Sequence, residues 1–432
     1  MSRTAAPSRH PLRALRHRNF RLFFTGQLIS LIGTWMQTVA QSWLVYRLSH
    51  SAFLLGSVGF ASQVPVFLLA AFGGHLADRY DRRRILVVTQ SCAMLLAGTL
   101  AVLTLTERIE TWHIFVLASL LGIVNAVDMP TRQAFLSQMV GREDLVNAIA
   151  LNSSMFNGAR IVGPAVAGIL VAAIGEGWCF LLNSVSYIAV IGGLLRMQLP
   201  AFFRIDESVS MWAKVAEGFR FAATASPVRA LLLLIALLSF TGMPYQVLMP
   251  LFADEVLGAG ARGLGILMGA AGVGALLGSI SLAMKASLSG LGRWVAAACG
   301  MFGAALVAFG LSRNFLLSVG ILTIAGFAMM VQMASSNTLI QSMVPDALRG
   351  RVMSLYAMMN VGVGPFGALV AGSAAESIGA PTTVAIGGAF TMLGALIFYL
   401  RLPALRQPAR ELIIAQQAAT GEPVEQTTAT GV

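Results

Sequence analysis

Charged residues are scarce in this sequence. Only 11% of its 432 residues are Asp, Glu, Lys or Arg, whereas a soluble globular domain carries about 25%. Hydrophobic residues make up 57%, and the mean hydropathy is +0.77. This balance excludes an ordinary soluble domain and indicates an integral membrane protein.

Cysteine and histidine are also sparse. The three cysteines, Cys92, Cys179 and Cys299, lie far apart in apolar runs, which excludes a disulfide framework or a zinc site as the organising feature. The five histidines form no H-E-x-x-H motif, and neither a nucleophile elbow nor a G-x-x-x-x-G-K-[ST] loop is present. We therefore expect no metal, no cofactor and no enzymatic activity, and ATP is not the direct energy source.

Long apolar runs dominate the rest of the chain. A helix needs about 20 mostly apolar residues to cross the hydrocarbon core of a bilayer. Continuous rather than alternating apolar residues favour helices over spanning strands. The predicted fold is therefore all-α, with twelve transmembrane helices at 22–45, 53–76, 85–106, 112–139, 146–174, 178–197, 228–252, 262–285, 293–311, 315–341, 352–375 and 382–402.

The basic residues predict the orientation of these spans. Most of the 29 Lys and Arg residues lie at the two termini and in the loops on one side, and only Arg47, Arg108, Arg262 and Arg313 fall on the other. Lys and Arg accumulate in cytoplasmic loops. We expect an inner (cell) membrane protein with both termini in the cytoplasm. The net charge of +11 is then a topology signal, and nucleic acid is not an expected partner.

The chain also repeats itself. Gly33, Gln37, Leu55 and Gly56 recur 209 residues later as Gly242, Gln246, Leu264 and Gly265. Two pseudo-symmetric six-helix bundles of this kind place a substrate site between the halves. We therefore predict five segments in chain order. They are a cytoplasmic Arg-rich segment at 1–21, a six-helix bundle at 22–197, a cytoplasmic linker with an amphipathic helix at 198–227, a second six-helix bundle at 228–402 and a disordered cytoplasmic tail at 403–432.

One loop resembles a known signature. The segment after the second predicted span reads G-H-L-A-D-R-Y-D-R-R-R from Gly74. It resembles the G-x-L-A-D-R-x-G-R-R/K motif of the major facilitator superfamily, except that Asp81 stands where glycine is usual. The resemblance implies that the loop is a cytoplasmic gate latch formed by Gly74, Asp78, Arg79, Arg82 and Arg83.

Other segments resemble one branch of that superfamily. The stretches D-M-P-T-R-Q-A from Asp128 and A-R-I-V-G-P-A-V-A-G from Ala159 are similar to the drug:proton antiporters that include enterobactin and macrolide exporters. Gly163, Pro164 and Gly168 resemble the antiporter motif. The resemblance implies export by alternating access rather than import.

Asp128 is the acid that lies well within a predicted span. Charged groups at such depth are costly and mark functional sites. Asp128 is our candidate proton carrier, with Arg160 and Arg132 as candidate partners. A permanent Asp128–Arg160 or Asp128–Arg132 pair that holds the bundle together is the alternative. Arg160 could instead face the cavity and attract an anionic substrate. Arg132 could instead form an ion pair with Asp78.

A set of polar residues shares helix faces within the spans. On the first span they fall within an arc of about 80° at 100° per residue, which favours a water-filled cavity, although bundle packing explains each residue equally well. The cavity-lining candidates are Gln27, Ser30, Thr34, Gln37, Gln41, Asn125, Tyr245, Gln246, Gln332, Ser335 and Ser336.

These features together predict a secondary active transporter. The favoured function is proton-coupled efflux of an amphipathic small molecule, namely a drug, macrolide or siderophore. Uptake of a nutrient or organic anion is the alternative, and a non-transporting sensor is a remote one. The expected partners are the substrate, protons and the lipid bilayer. The small-xxx-small spacings at Gly265, Gly269, Gly274 and Gly278 fit a dimer face or internal packing, and we expect internal packing and a monomer.

Overall fold

The structure is a computed structural model that describes residues 12–198, 211–284 and 290–420, and these residues form helices joined by short loops. In the amino-terminal half the helices are α1 (Arg18–Ser49), α2 (Ala52–Arg79), α3 (Arg82–Leu105), α4 (Thr111–Met139), α5 (Leu145–Ile174) and α6 (Glu176–Leu195). In the rest they are α7 (Met211–Thr224), α8 (Ser226–Leu237), α9 (Met249–Leu251), α10 (Gly260–Ala283), α11 (Leu291–Leu311), α12 (Phe315–Met343), α13 (Asp346–Ala357), α14 (Gly364–Ile378) and α15 (Ala380–Thr420).

Each of the twelve predicted spans is helical over most of its described residues. Hydrocarbon offers no water to the backbone, so a helix, which bonds its own N–H and C=O groups, is the structure these runs adopt. Eleven helical segments among the described residues are long and apolar enough to cross a membrane. The first helix, α1, is not among these segments, because polar residues of its stripe such as Gln27 and Gln37 lower its hydropathy.

Two spans of the second half are interrupted. After α8 the chain passes through a π turn at Leu238–Gly242 and a 3-10 turn at Met243–Gln246 before α9 and a second π turn. A π turn at Met358–Gly362 likewise separates α13 from α14. Pro244 and Pro365 lie directly after such turns. Proline has no N–H to donate, and it therefore accompanies breaks in helical register.

Contacts divide the described residues into two compact units. The first contains those of Met1–Gln41 and Leu68–Asp206, and the second contains those of Ser42–Phe67 and Glu207–Val432. The end of α1 and the first half of α2 thus pack with the later helices rather than with their own half of the sequence. The repeat is visible within each unit, because Gly175 and Gly379, with φ of 87° and 83°, join equivalent helix pairs in a conformation that favours glycine.

The ends of the chain differ in part from the sequence prediction. Helix α7 lies where the linker helix was expected, and Glu217 of α7 forms an ion pair with Arg351 of α13. The tail, however, was predicted to be disordered from residue 403, and this was wrong as far as Thr420. Helix α15 continues through Pro403 and Pro408, and Gln416 donates a hydrogen bond to Asp346. The remaining residues, 421–432, lie outside the described part.

The glycines of α10 are used for packing inside the second unit. A Cβ on Gly274 would overlap the carbonyl oxygen of Thr323 on α12, and one on Gly326 of α12 would overlap the carbonyl oxygen of Ala271. Gly278 meets the carbonyl of Phe327 in the same way. Gly274 and Gly278, which make up one of the two predicted small-residue spacings, therefore face a helix of their own unit.

The segment before α1 is anchored by one buried carboxylate. A 3-10 turn, Arg13–Arg16, lies beside Asp144, which is 2% exposed. Asp144 pairs with Arg13 (3.1 Å), Arg16 (2.9 Å) and His17 (2.7 Å). The hydrogen bond with His17, assisted by the charge of Arg16, lowers the pKa of the Asp144 carboxyl although burial opposes this shift. The amino-terminal segment is therefore tied electrostatically to the α4–α5 connection.

We predict that Gly274→Ala destabilises the protein because the added methyl group must push α10 away from α12. Overpacking of this kind costs about 1–3 kcal/mol. The measurement is the thermal unfolding midpoint in detergent. Gly320→Ala on α12 is the matched control, because nothing lies within 4 Å of its Cβ. Equal midpoints for the two variants would contradict the packing of α10 on α12.

We predict that Asp144→Asn lowers the thermal midpoint at neutral pH and that this difference disappears in acid. The pKa of Asp144 is lower in the folded state than in the unfolded one, so its contribution is present above about pH 4 and is lost as the pH falls further. Glu143→Gln is the control, because Glu143 is exposed and its pair with Arg16 is worth little. A difference that persists unchanged at low pH would argue against an ionic anchor.

Candidate functional site

Asp128 is a buried carboxylate in the middle of the first unit. Its side chain on α4 is 4% exposed. Both donors on its Oδ1 atom come from α3, where the hydroxyl of Thr89 and the amide Nε2 of Gln90 each lie 2.8 Å away. Helix α3 packs against α4 and α6, which brings this polar pair to the acid. The arrangement is a closed polar site within apolar helices.

The structure distinguishes the two arginines proposed as partners of Asp128. Nε of Arg132, one turn further along α4, lies 3.7 Å from Oδ2 of Asp128. The guanidinium of Arg160 on α5 instead lies over the ring of Trp35, 5.6 Å from its centroid. Arg132 is therefore the arginine that faces the carboxylate, and Arg160 packs on an aromatic side chain of α1.

A chain of polar side chains leads away from this site. Tyr187 on α6 is 6% exposed and lies within range of the charges of Asp128 and Arg132. Asn183, one turn earlier on α6, donates from Nδ2 to Oε1 of Gln37 at 2.6 Å (the two side chains are both buried). Buried polar side chains thus follow one another from α4 along α6 to α1.

The gate loop is organised by Arg82. Its guanidinium donates to the carbonyl oxygens of Ala77 (3.0 Å) and Ala134 (3.1 Å) and pairs with Asp78 at 3.3 Å. These contacts join the end of α2 to the end of α4. Arg132 does not take Asp78 as its partner; the carboxylate beside it is that of Asp128.

Asp81, which stands where the motif usually has glycine, caps the start of α3. Asp81 has an extended backbone and caps α3 by accepting from the backbone N–H groups of Arg83 (2.9 Å) and Arg84 (3.4 Å). The Arg83 side chain donates to the carbonyl of Leu195 on α6. Asp81 therefore satisfies helix donors that would otherwise be exposed at the start of α3.

The glycine of the gate motif is less constrained than its neighbour. A Cβ on Gly74 would meet nothing within 4 Å, whereas one on Gly73 would overlap the carbonyl of Ala126 on α4. Arg79 at the end of α2 is exposed. Gly73, which the motif comparison did not identify, is thus the glycine that permits α2 and α4 to approach.

The antiporter-like residues lie at a contact between α5 and α1. Helix α5 runs without interruption through Pro164. A Cβ on Gly163 would overlap Trp35 and lie 2.9 Å from the carbonyl oxygen of Ile32. Gly168 is buried further along the same helix. Gly163 therefore allows α5 to approach α1 beside Trp35, the residue on which Arg160 packs.

The cavity-lining candidates of the first unit fall into two groups. Gln27, Ser30 and Gln37 are buried, and Thr34, Gln41 and Asn125 are partly exposed. The hydroxyl of Thr34 donates to the backbone carbonyl of Ser30. Gln37, which bonds Asn183, therefore has a role in helix packing, which was one of the two interpretations of the stripe.

Those of the second unit are more deeply buried. Gln332, Ser335 and Ser336 on α12 are 0% exposed, and Nε2 of Gln332 donates to the hydroxyl of Ser336 at 3.2 Å. Tyr245 is 2% exposed and makes an edge contact with Phe302. Gln246 is partly exposed.

A further polar cluster was missed by sequence reasoning. Within the second unit the Tyr46 hydroxyl donates to Asp254 at 2.7 Å, with Glu255 at 3.2 Å. Glu376 accepts from the Ser51 hydroxyl and from the N–H of Phe53 at the start of α2. The adjacent acids Asp254 and Glu255 at the end of a span were a sequence signal for the first of these contacts. No sequence signal identified Tyr46 of α1 as their partner.

Metal binding receives no support from the described part of the chain. No group of three or more His, Cys, Asp or Glu residues converges there in a way that would hold an ion.

Comparison with known families places these features in context. The sequence model described as transmembrane secretion effector matches residues 9–427. The chain is 28% identical to the staphyloferrin A transporter of Staphylococcus aureus over 88% of its own length and 95% of that protein. It is 26% identical to the multidrug efflux pump Tap of Mycolicibacterium fortuitum (87% and 93% covered). Identity to the enterobactin exporter EntS of Shigella boydii is also 26% (88% and 90% covered).

Solved structures of low sequence identity share the fold. A peptide transporter POT variant in complex with sulfate superposes with a TM-score of 0.72 at 13% identity, covering 94% of this chain and 97% of that one. A bacterial homologue of the lysosomal transporter Spinster gives 0.69 at 15% identity, covering 92% and 98%. The fold predicted from the sequence, an all-helical membrane transporter of the major facilitator type, is confirmed.

We predict that Arg82→Lys weakens the gate loop because an ammonium group cannot reach both carbonyl oxygens and Asp78 together. Each hydrogen bond to a charged group contributes about 1.5–3 kcal/mol, so the loss of two costs about 3–6 kcal/mol. Thermal midpoint and transport are both expected to fall. Arg84→Lys is the matched control, since Arg84 is 89% exposed and lies 3.9 Å from Asp81. Wild-type stability in Arg82→Lys would refute the role of this guanidinium.

Proposed function

Because this chain belongs to the transmembrane secretion effector family of the major facilitator superfamily, we propose that it exports an amphipathic small molecule in exchange for protons. It is a membrane transporter and not an enzyme. The observation that carries the proton half of this proposal is the buried carboxylate of Asp128 with its three polar neighbours. Carboxylates at such depth in a span mark proton or ion pathways.

The direction of transport follows from relatives and from the motif at Gly163. The curated relatives include a multidrug efflux pump and an enterobactin exporter. Gly163 and Pro164 resemble the antiporter motif at a tight contact between α5 and α1. Export is therefore favoured over uptake. A gradient imposed in either direction across sealed vesicles separates the two functions.

The substrate class is proposed from the same relatives and from Arg160. A siderophore transporter and a drug pump are both similar to this chain. Arg160 over Trp35 combines a cation with an aromatic face, which suits an amphipathic molecule that carries an anionic or aromatic group. A siderophore, a macrolide or another drug meets that description.

The transport cycle we propose uses one protonation step in the first unit. With Asp128 ionised, Arg132, Thr89 and Gln90 all favour the carboxylate. When a proton binds, the attraction to Arg132 is lost and the local charge changes by one unit. A change of this kind biases an equilibrium between two arrangements of the helices. Asp78, Arg82 and Arg83 then act as the cytoplasmic gate.

Location and assembly are part of the proposal. The excess of Lys and Arg on one side of the spans supports a cell-membrane protein with cytoplasmic termini. The packing of the α10 glycines against α12 supports a monomer.

We predict that Asp128→Asn loses transport driven by a pH gradient, because the amide cannot carry a proton. The measurement is accumulation of candidate siderophores, macrolides and dyes in everted vesicles, with and without a protonophore. Glu411→Gln is the control, because this exposed carboxylate lies on the cytoplasmic extension of α15. Gradient-driven accumulation by Asp128→Asn at the wild-type rate would overturn the proton assignment.

A further inference from the structure

The neighbours of Asp128 on α3 have an unusual property, which is that each is able to donate or to accept. The Thr89 hydroxyl has one proton and two acceptors in reach. These are Oδ1 of Asp128 at 2.8 Å and the carbonyl oxygen of Leu86 at 3.1 Å. A hydroxyl that donates to Leu86 leaves its own lone pairs free to accept from Asp128.

Gln90 has the same property for a different reason. Its Nε2 donates to Oδ1 of Asp128, and its Oε1 is buried without a hydrogen-bond partner. The side chain is 5% exposed. A buried unsatisfied acceptor is costly and calls for an explanation. Rotation of the amide by half a turn exchanges Nε2 and Oε1 and presents the unused acceptor to Asp128.

Arg132 contrasts with this pair. It has donors only, so it favours the ionised carboxylate and has nothing to offer a protonated one. Tyr187 on α6 is a further titratable group near Asp128. Thr89 and Gln90 differ from Arg132, because each of them is able to form a hydrogen bond with either form of the acid without water.

We infer that Thr89 and Gln90 are positioning residues that let Asp128 bind and release a proton while it stays buried. This inference rests on the proposed proton coupling and names what regulates it. In the ionised state both residues donate to Oδ1. On protonation Asp128 takes a proton from a hydronium ion, so one O–H bond forms at the carboxylate and one breaks in hydronium, which becomes water. Gln90 then rotates to accept from the new O–H group, and Thr89 turns its proton to Leu86.

The inference predicts the direction of a pH shift. Removing a donor from the carboxylate favours the neutral acid, so Asp128 should hold its proton to higher pH. One hydrogen bond to a charged group corresponds to a shift of about one pH unit. Thr89→Val and Gln90→Met are close in shape to the native side chains and lack the donors. Each is expected to raise the protonation midpoint by about that amount.

The experiment is an infrared pH titration of the full chain in lipid nanodiscs, without substrate. The protonated carboxyl band that is missing in Asp128→Asn reports Asp128 alone. Thr89→Ser restores the hydroxyl and should restore the wild-type midpoint. Thr131→Val is the matched control, because Thr131 is buried one turn from Asp128 and its hydroxyl donates to the carbonyl of Val127.

The outcomes separate this inference from the proposed function. Upward shifts in Thr89→Val and Gln90→Met, with none in Thr89→Ser and Thr131→Val, support it. An Asp128 band whose midpoint is unchanged or lowered in both donor-free variants overturns the inference alone. Gradient-driven transport in Asp128→Asn overturns the proposed function instead. If Thr89→Val does not fold, Thr89→Ala takes its place in the titration. If Gln90→Met does not fold, Gln90→Leu takes its place, because each replacement removes the same donor.

Discussion

Between the two faces of a membrane there is no water to satisfy hydrogen bonds, so a polar group there must find its partner within the protein. In the first unit this constraint brings Thr89 and Gln90 to Asp128 and joins Asn183 to Gln37. The carboxylate is the most demanding of these groups, because its charge is the most costly to bury. The packing of α3 against α4 and α6 follows from the need to enclose it.

The two halves of the sequence repeat one another, but their polar groups differ. Gly175 and Gly379 are 204 residues apart, and the same spacing matches Asp128 with Gln332 on α12, whose polar neighbours are buried serines of its own helix. An amide cannot change its charge, so the second half holds no counterpart to the proton site at that position. We therefore propose that chemical coupling lies in the first unit, while the second unit differs from it in the interrupted helices at Leu238–Gly242 and Met358–Gly362.

The helical fold and the burial of Asp128 within a helix were predictable, because both follow from where apolar and charged residues lie along the chain. The partners of Asp128 were not. Arg160 and Arg132 were equally reasonable from depth alone, and only the packed helices show that Arg132 faces the acid while Arg160 covers Trp35. Thr89 and Gln90 were not among the predicted site residues, because their orientation toward Asp128 on α4 depends on contacts between helices. The helical tail up to Thr420 was hidden by its polar composition.

The most direct test of the account is the release of protons when substrate binds to the purified transporter. A pH-sensitive dye in weakly buffered detergent solution records the protons released as an identified siderophore or drug is added. If Asp128 couples transport to protons, the wild-type protein releases protons on substrate binding at a pH where Asp128 is protonated beforehand. The Asp128→Asn variant then releases none. Equal release by the two proteins would contradict the claim that this carboxylate couples transport to protons.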